Sequence, residues 1–273
     1  MGGAHHAQAG GGGPGGRLSA PPESGGRTVR VVSDRALLAA AAAAEFTAAA
    51  TAAVGARDRF TVALAGGSTP LDLYRRLASR EYAALVPWPG VHFFWGDERH
   101  VPPDYPDSNF GAVRAALLEH VPVPPGNVHR VPAEIGDAEK AARVYEDELR
   151  RSFAPPPGAQ PRFDLVLLGL GADGHTASLF PGSAALAERR RWVVAPWIEQ
   201  LAAHRITLTL PVLNAAARVL FLVSGKDKAG ALRRVLASPR PPRELPAQAV
   251  APRDGEVVWL VDREAAAELE NSG

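Results

Sequence analysis

From Arg27 onward, short runs of valine, leucine and aromatic residues alternate with longer alanine-rich or amphipathic stretches. This alternation is typical of a mostly parallel sheet whose two faces are covered by helices. The pattern therefore predicts an α/β fold. Eight of the runs are predicted to be strands: Thr28–Val32, Phe60–Ala65, Val91–Trp95, Phe163–Leu168, Trp192–Ala195, Arg205–Leu210, Arg218–Val223 and Val257–Val261.

Polar residues and a proline mark the expected starts of three helices. Ser33 and Asp34 precede an alanine-rich stretch and are suited to cap it, because a short polar side chain can accept hydrogen bonds from the first turn. Asp137 precedes an amphipathic stretch in the same way. Pro70 suits the first turn of a third helix, where its missing N–H removes no hydrogen bond.

The composition favours one domain. The 273 residues are 46% hydrophobic, which is enough for the core of a single α/β domain over residues 27–273. Residues 1–26 are rich in glycine and poor in apolar side chains, which predicts a disordered leader without the apolar core of a signal peptide. The longest apolar stretch, Ala36–Ala53, is interrupted by Glu45. We therefore expect a cytoplasmic monomer or small homo-oligomer without a membrane span.

Charge and cysteine content exclude several classes of function. The 30 basic and 29 acidic residues give a net charge of +1, so charge gives no reason to expect nucleic acid or an anionic membrane as a partner. The chain has no cysteine, which rules out disulfides, thiolate catalysis and cysteine-bound metal. Any anion site must therefore be a local feature.

The run from Phe163 to Gly182 is the most informative segment of the chain. An apolar strand there ends in glycines and is followed by Asp173 and His175. Open α/β sheets bind ligands at the carboxyl ends of their strands, which makes both side chains candidates for catalysis. His175 is the candidate base, since imidazole titrates near neutral pH, and Asp173 is the candidate to orient it. A purely structural histidine is the alternative.

The same run contains a second pattern. Gly169-Leu-Gly-Ala-Asp-Gly174 satisfies the dinucleotide-binding fingerprint G-x-G-x-x-G after a strand. A nicotinamide site also requires an acidic residue at the end of the next strand, about 20 residues further on, to bind the ribose. The next predicted strand, Trp192–Ala195, is followed by Pro196 and by no carboxylate. The sequence therefore disfavours a nicotinamide cofactor.

The turn after the strand Phe60–Ala65 has the pattern of an anion site. The connection to the next helix consists of Gly66, Gly67, Ser68 and Thr69. Such a turn directs backbone N–H groups and the positive end of a helix at one point. It lacks the Gly-Lys-Ser/Thr ending of a nucleoside-triphosphate loop, so we expect a phosphate on a small molecule. A tight connection with a simple helix cap is the alternative.

Charged residues elsewhere are candidates for the same site. Asp97, Glu98 and Arg99 are consecutive charges at a strand end and are hard to explain as core; Asp97 and Arg99 are suited to position hydroxyls or to stabilise an oxyanion. Arg205 opens a later strand, and Lys228 lies near an expected helix start, where a cation opposes the helix dipole unless an anion is nearby. Solvated surface charges are the alternative.

Together these motifs resemble those of the 6-phosphogluconolactonases, a family similar in fold to glucosamine-6-phosphate deaminase. The resemblance is ordered along the chain and covers about residues 28–265. It implies an α/β fold, a three-layer open sandwich with a mostly parallel, Rossmann-like sheet. It rests on four segments: Gly66–Pro70, Gly96–Arg99 with Ser108-Asn109, Gly169–Gly182, and Ser224–Ala229.

The resemblance also implies hydrolysis of 6-phospho-D-glucono-1,5-lactone to 6-phospho-D-gluconate in the oxidative pentose phosphate pathway, without a metal or organic cofactor. The expected substrate is a small phosphosugar lactone, and His175 is expected to assist the attack of water on its carbonyl. Asp173, Asp97 and Arg99 complete the expected catalytic group. The residues expected to bind the substrate are Gly66, Gly67, Ser68, Thr69, Arg205 and Lys228.

Two alternatives stay open. One is a deaminase or isomerase of the same fold, in which Asp97 would be the proton-transfer base. In those deaminases a glutamate five residues after the histidine assists it, whereas this chain has Phe180 there, which favours the lactonase. The other is a sugar-phosphate sensor without catalysis. A sensor would commonly be joined to a DNA-binding segment, and no basic stretch precedes Thr28.

Overall fold

The structure is a computed structural model that describes residues 27–237, 241 and 243–269. The predicted leader, residues 1–26, lies outside the described residues. Within the described residues there are ten strands: β1 (Arg27–Val32), β2 (Phe60–Leu64), β3 (Val91–Trp95), β4 (Asp97–Arg99), β5 (Leu165–Leu168), β6 (Val193–Val194), β7 (Trp197–Ile198), β8 (Ala203–Leu208), β9 (Arg218–Val223) and β10 (Glu256–Asp262).

The described residues also form eight α-helical segments: α1 (Arg35–Arg57), α2 (Ser68–Leu77), α3 (Arg80–Ala83), α4 (Asn109–Val113), α5 (Ala138–Phe153), α6 (Leu210–Leu213), α7 (Ala229–Leu236) and α8 (Arg263–Ala266). The three predicted helix starts are confirmed. The carboxylate of Asp34 accepts a hydrogen bond from the N–H of Leu37 in α1, and that of Asp137 accepts one from the N–H of Glu139 in α5, both at 2.9 Å. Pro70 lies in the first turn of α2.

The main sheet is parallel, as predicted. Its order among the described strands is β1-β10-β9-β5-β2-β3. Two of the predicted strands lie elsewhere: β6 and β8, which correspond to the runs at Trp192 and Arg205, belong to a small antiparallel sheet in which β8 lies between β4 and β6 and pairs with both. The short strand β7 also pairs with β8. The hydrophobic pattern thus located both strands, although β6 is shorter than predicted and β8 begins and ends two residues earlier, but it did not predict the sheet to which they belong.

Helices cover both faces of the main sheet. Successive residues of a strand point to opposite faces, so Phe93 and Phe94 of β3 mark the two faces. Phe93 stacks against Phe46 of α1 with ring centroids 6.3 Å apart, whereas Phe94 packs against Phe153 of α5 at 5.3 Å. Since α1 and α5 lie on opposite sides, the fold is a three-layer α/β sandwich.

The helix α1 is long and apolar enough to cross a membrane by length and composition alone. In this fold one side of the helix is buried in the core of the domain. That is the packing of a core helix. The buried residues are Leu38, Ala39, Ala42, Ala43, Phe46, Ala50 and Ala53.

Two histidines and a glutamate form a hydrogen-bonded chain beside β3. Nδ1 of His92 is 3.1 Å from Nε2 of His129, and Nδ1 of His129 is 2.7 Å from Oε1 of Glu148. Partial burial, the nearby guanidinium of Arg59 and the charge of His129 lower the pKa of His92 to about 4. His92 is therefore neutral in the folded protein at neutral pH.

We expect this histidine to make the protein less stable in mild acid. Unfolded histidine takes up a proton below about pH 6.5, but folded His92 does so only near about pH 4. The stability that neutral His92 contributes is therefore complete above about pH 6.5 and is lost as the pH falls towards about 4. Urea unfolding at about pH 7.5 and about pH 5 should show a smaller loss in His92→Asn than in the wild type. Equal losses in the two proteins would contradict this prediction.

Candidate active site

A cleft of about 410 Å³ opens at the carboxyl ends of β2, β3, β5 and β9. This is the edge at which open parallel sheets bind ligands. Asp173 does not line the cleft but forms a hydrogen bond with His175, which does. The other nine predicted site residues line the cleft: Gly66, Gly67, Ser68, Thr69, Asp97, Arg99, His175, Arg205 and Lys228.

The turn between β2 and α2 has the geometry of an anion site. Gly67 has a φ of 95°, a conformation that favours glycine, and α2 begins at the next residue, Ser68. N–H groups in the first turn of a helix have no acceptor within the helix, so those of Ser68 and Thr69 are available to an anion at the positive helix end. Gly66 is also required by close packing, since a Cβ built there would lie 1.9 Å from Oδ1 of Asn109.

His175 and Asp173 are joined in the loop after β5. Nδ1 of His175 is 2.6 Å from Oδ1 of Asp173, which also accepts a hydrogen bond from the backbone N–H of His175 at 3.1 Å. Because a carboxylate only accepts, Nδ1 carries a proton, and Nε2 of the neutral ring keeps its lone pair. The structure thus brings together the two side chains that the sequence offered as base and orienting group.

The ring of Phe180 covers one face of the imidazole. The ring centroids of Phe180 and His175 are 4.2 Å apart, and the planes make an angle of 27°. Phe180 itself is only 9% exposed. The environment of His175 is therefore apolar on this face. The carboxylate that forms a hydrogen bond with His175 is that of Asp173.

Asp97 and Arg99 lie on β4, where neighbouring loops hold their side chains. Oδ2 of Asp97 accepts a hydrogen bond from Oγ of Ser178 at 2.6 Å, and the guanidinium of Arg99 donates to the carbonyl of Asp107. This arrangement leaves both charged groups at the wall of the cleft.

Glu98, between them, is a core residue, so the expectation that none of the three charges belongs to the core was wrong. It is 1% exposed and accepts hydrogen bonds from the N–H groups of Arg99, Asn109 and Phe110 at 2.7 to 2.8 Å. Burial raises the pKa of Glu98, although these hydrogen bonds act in the opposite direction. The buried carboxyl group ties β4 to the start of α4.

Two arginines lie opposite each other where β4 pairs with β8. Arg99 and Arg205 are partners in the antiparallel register, and like charges at directly opposed positions repel. Burial, followed by the charge of Arg99, lowers the pKa of Arg205. Lys228 lines the same cleft after β9, with Nζ 3.2 Å from Oδ2 of Asp227. A bound anion would relieve the repulsion, so this wall of the cleft suits a phosphate.

Sequence reasoning assigned no role to Ser178 or Asn109. Ser178 is 1% exposed and holds the carboxylate of Asp97, a residue 81 positions away in the chain. Nδ2 of Asn109 donates to the carbonyl of the same Asp97 at 3.0 Å. Both residues lie in segments that the sequence analysis singled out. Their contacts join distant parts of the chain, however, and no local pattern reveals such pairs.

The open parallel sheet, the cationic cleft at its carboxyl edge and the paired histidine define the class of the molecule: an α/β protein whose cleft suits a small anionic ligand. Comparison with known proteins narrows this class. Residues 33–259 match the family model of glucosamine-6-phosphate isomerases/6-phosphogluconolactonase. The chain belongs to this family.

Individual relatives and solved structures agree with this assignment. A 6-phosphogluconolactonase from Synechocystis sp. is 42% identical over 219 residues, which are 80% of this chain and 88% of the relative. The structure of 6-phosphogluconolactonase from Trypanosoma brucei has a TM-score of 0.79 at 31% identity, over 92% of this chain and 100% of that chain. A monomeric glucosamine-6-phosphate deaminase, 24% identical, has a TM-score of 0.74 over 88% of this chain and 99% of that chain. The expected likeness in fold to the deaminases is confirmed.

Proposed function

We propose that the protein is an enzyme that hydrolyses 6-phospho-D-glucono-1,5-lactone to 6-phospho-D-gluconate in the oxidative pentose phosphate pathway. Its family and its similarity to 6-phosphogluconolactonases support this activity. The observation that carries the mechanism is the hydrogen bond between Asp173 and Nδ1 of His175, which leaves Nε2 as the basic nitrogen of a side chain in the cleft.

In the proposed reaction, water attacks the lactone carbonyl while His175 acts as the base. Nε2 takes a proton from the water as its oxygen bonds to C1 of the lactone. The bond between C1 and the ring oxygen then breaks, the ring oxygen takes the proton from His175, and the new carboxylic acid ionises in water. Asp173 keeps the ring oriented and stabilises the imidazolium. Arg99 is proposed to stabilise the oxyanion, and Asp97 to accept a hydrogen bond from a sugar hydroxyl.

The phosphate is proposed to bind at the turn between β2 and α2. The helix start, Arg205 and Lys228 line the same cleft and supply positive charge there. Binding the phosphate, which is remote from C1, would hold the lactone in position for attack. The residues of the turn assigned to this role are Gly66, Gly67, Ser68 and Thr69.

Phe180 supports the lactonase over a deaminase. The deaminase mechanism expected from the resemblance uses a glutamate at this position to assist the histidine. Here an apolar ring stacks on His175 instead. A phenyl ring cannot accept a proton, so ring opening of an amino sugar would lack its assisting group.

The test is hydrolysis of freshly prepared 6-phosphogluconolactone, followed through 6-phosphogluconate dehydrogenase after subtraction of spontaneous opening. We expect enzymatic turnover of the lactone and no release of ammonia from glucosamine 6-phosphate. Turnover at the spontaneous rate by the folded protein would reject the proposal. Ammonia release at enzymatic rates would favour the deaminase, and binding of the phosphosugar without any turnover would favour a sensor.

The substrate class is a small phosphosugar, in agreement with the relatives named above. The part of the chain that the structure describes contains no group of three or more histidine or carboxylate side chains placed to hold a metal ion. The absence of a cofactor, the absence of nucleic-acid and membrane partners, the oligomeric state and the cytoplasmic location stay predictions.

A further inference from the structure

Two buried tyrosines make the same contact at the ends of neighbouring strands. Tyr74 and Tyr145 are 0% and 1% exposed. The hydroxyl of Tyr74 donates to the carbonyl of Ala65 at 2.7 Å and accepts from the N–H of the same residue at 3.0 Å. The hydroxyl of Tyr145 donates to the carbonyl of Trp95 at 2.9 Å and accepts from its N–H at 2.8 Å. Each hydroxyl therefore satisfies both backbone polar groups of one residue; we call these contacts the tyrosine clamps.

The clamp of Tyr74 replaces a missing strand beside the end of β2. The N–H of Gly96 donates to the carbonyl of Leu64, so Leu64 faces β3 and the next residue, Ala65, faces the other side. On that side β5 pairs with β2 only at Val62 and Ala63. The polar groups of Ala65 would thus be buried without a partner, which is costly, and the hydroxyl of Tyr74 supplies that partner.

The clamp of Tyr145 has the same origin at the end of β3. This strand is at the edge of the main sheet as described. The carbonyl of Phe93 accepts from the N–H of His129 outside the sheet, and Trp95, two residues further on, faces the same way. No described strand pairs with Trp95 on that outer side. The hydroxyl of Tyr145, which lies on α5, therefore makes the hydrogen bonds to Trp95 that a neighbouring strand would otherwise make.

Each clamped residue is followed directly by a segment of the site. Ala65 precedes Gly66 of the anion turn, and Tyr74 lies on α2, whose first turn belongs to the same site. The clamp therefore fixes the helix start relative to the strand that leads into it. Trp95 precedes Gly96 and β4, which carries Asp97 and Arg99.

We propose that the tyrosine clamps are positioning devices with separate tasks: Tyr74 sets the anion turn for the phosphate, and Tyr145 sets β4 for the reaction at the carbonyl. Neither tyrosine lines the cleft. Both act through the backbone that they hold. The division of tasks rests on the proposed function, whereas the effect of Tyr74 on anion binding does not.

Tyr74→Phe and Tyr145→Phe are matched variants. Each removes one hydroxyl at the same degree of burial and leaves one N–H and one carbonyl without a partner. We expect Tyr74→Phe to weaken the binding of inorganic phosphate and to raise KM for the lactone, each about tenfold, with a smaller change in kcat. We expect Tyr145→Phe to lower kcat about tenfold while phosphate affinity stays near that of the wild type.

The pattern across the two variants decides the proposal. If the tyrosines have a merely structural role, both variants should have lower melting temperatures, while kcat, KM and phosphate affinity stay unchanged or change alike in the two proteins. That result would overturn the proposal. Phosphate affinity is measured by calorimetry and needs no turnover. If the wild type fails to hydrolyse the lactone, the proposed function fails, while the phosphate measurements still test the role of Tyr74. A wild type that binds no phosphate overturns that role.

Hydrogen exchange tests the clamps in the wild type, even if a variant does not fold. The N–H groups of Ala65 and Trp95 should exchange as slowly as those inside β2 and β3. Added inorganic phosphate should slow exchange at Ala65 further and leave Trp95 unchanged. The proposal would be overturned if the N–H groups of both residues exchanged as fast as those in the loops that follow. It would also be overturned if phosphate slowed exchange at both residues equally.

Discussion

Replacing His175 by asparagine is expected to lower kcat for lactone hydrolysis by about a hundredfold to ten-thousandfold, with little change in the affinity for 6-phosphogluconate. Asparagine retains a polar group near the position of Nδ1, so the contact with Asp173 can persist, but it has no nitrogen that can take a proton from water. Kinetics with subtraction of spontaneous opening gives kcat, and calorimetry gives the affinity for the product.

The matched control is His120→Asn. His120 is an exposed histidine whose Nε2 lies 2.9 Å from the carbonyl of Ala115. Its replacement should leave turnover unchanged. If His175→Asn retained the kcat of the wild type, another group would have to activate the water. If it lost product binding together with turnover, its effect would be on the shape of the site and not on proton transfer.

The strands of the main sheet were the easiest part of the fold to predict. Val91–Trp95 and Arg218–Val223 have the predicted bounds, because a strand covered on both faces is continuously apolar and stands out from the sequence around it. The runs at Trp192 and Arg205 were also predicted as strands, yet they belong to the antiparallel sheet, where β8 pairs with β4 and with β6. The choice of pairing partner depends on contacts between distant segments, which periodicity does not encode.

Within the site, backbone requirements were visible in the sequence and side-chain partnerships were not. Gly67 marks the anion turn because its conformation demands glycine. The contact of Ser178 with Asp97 and the clamp of Tyr74 on Ala65 leave no comparable signal. A buried serine or tyrosine looks like ordinary core in a sequence, since its partner is identified only when the chain is folded.

A single methyl group at Gly171 is expected to disrupt the catalytic pair. A Cβ there would lie 2.1 Å from Nδ1 of His175 and 2.7 Å from Oδ1 of Asp173, which is closer than atoms can approach. The backbone cannot yield easily, because the N–H of Gly171 donates to the carbonyl of His175, and the N–H of Gly174 donates to the carbonyl of Gly171, both at 2.9 Å. Phe180 blocks one face of the imidazole, so the ring must leave its hydrogen bond with Asp173.

We therefore expect Gly171→Ala to lower kcat/KM by about a hundredfold or more, as is usual when a catalytic group is displaced by about 1 Å. Gly136→Ala is the control, since a Cβ at that loop position meets no atom within 4 Å. Phosphate affinity separates two causes of a loss. If it is unchanged, the displacement is confined to His175 and Asp173, whereas a parallel loss of phosphate affinity would mean that the loop after β5 has moved as a whole. Near-normal turnover in Gly171→Ala would show that His175 works without the Asp173 contact, and the proposed orienting role of that carboxylate would have to be abandoned.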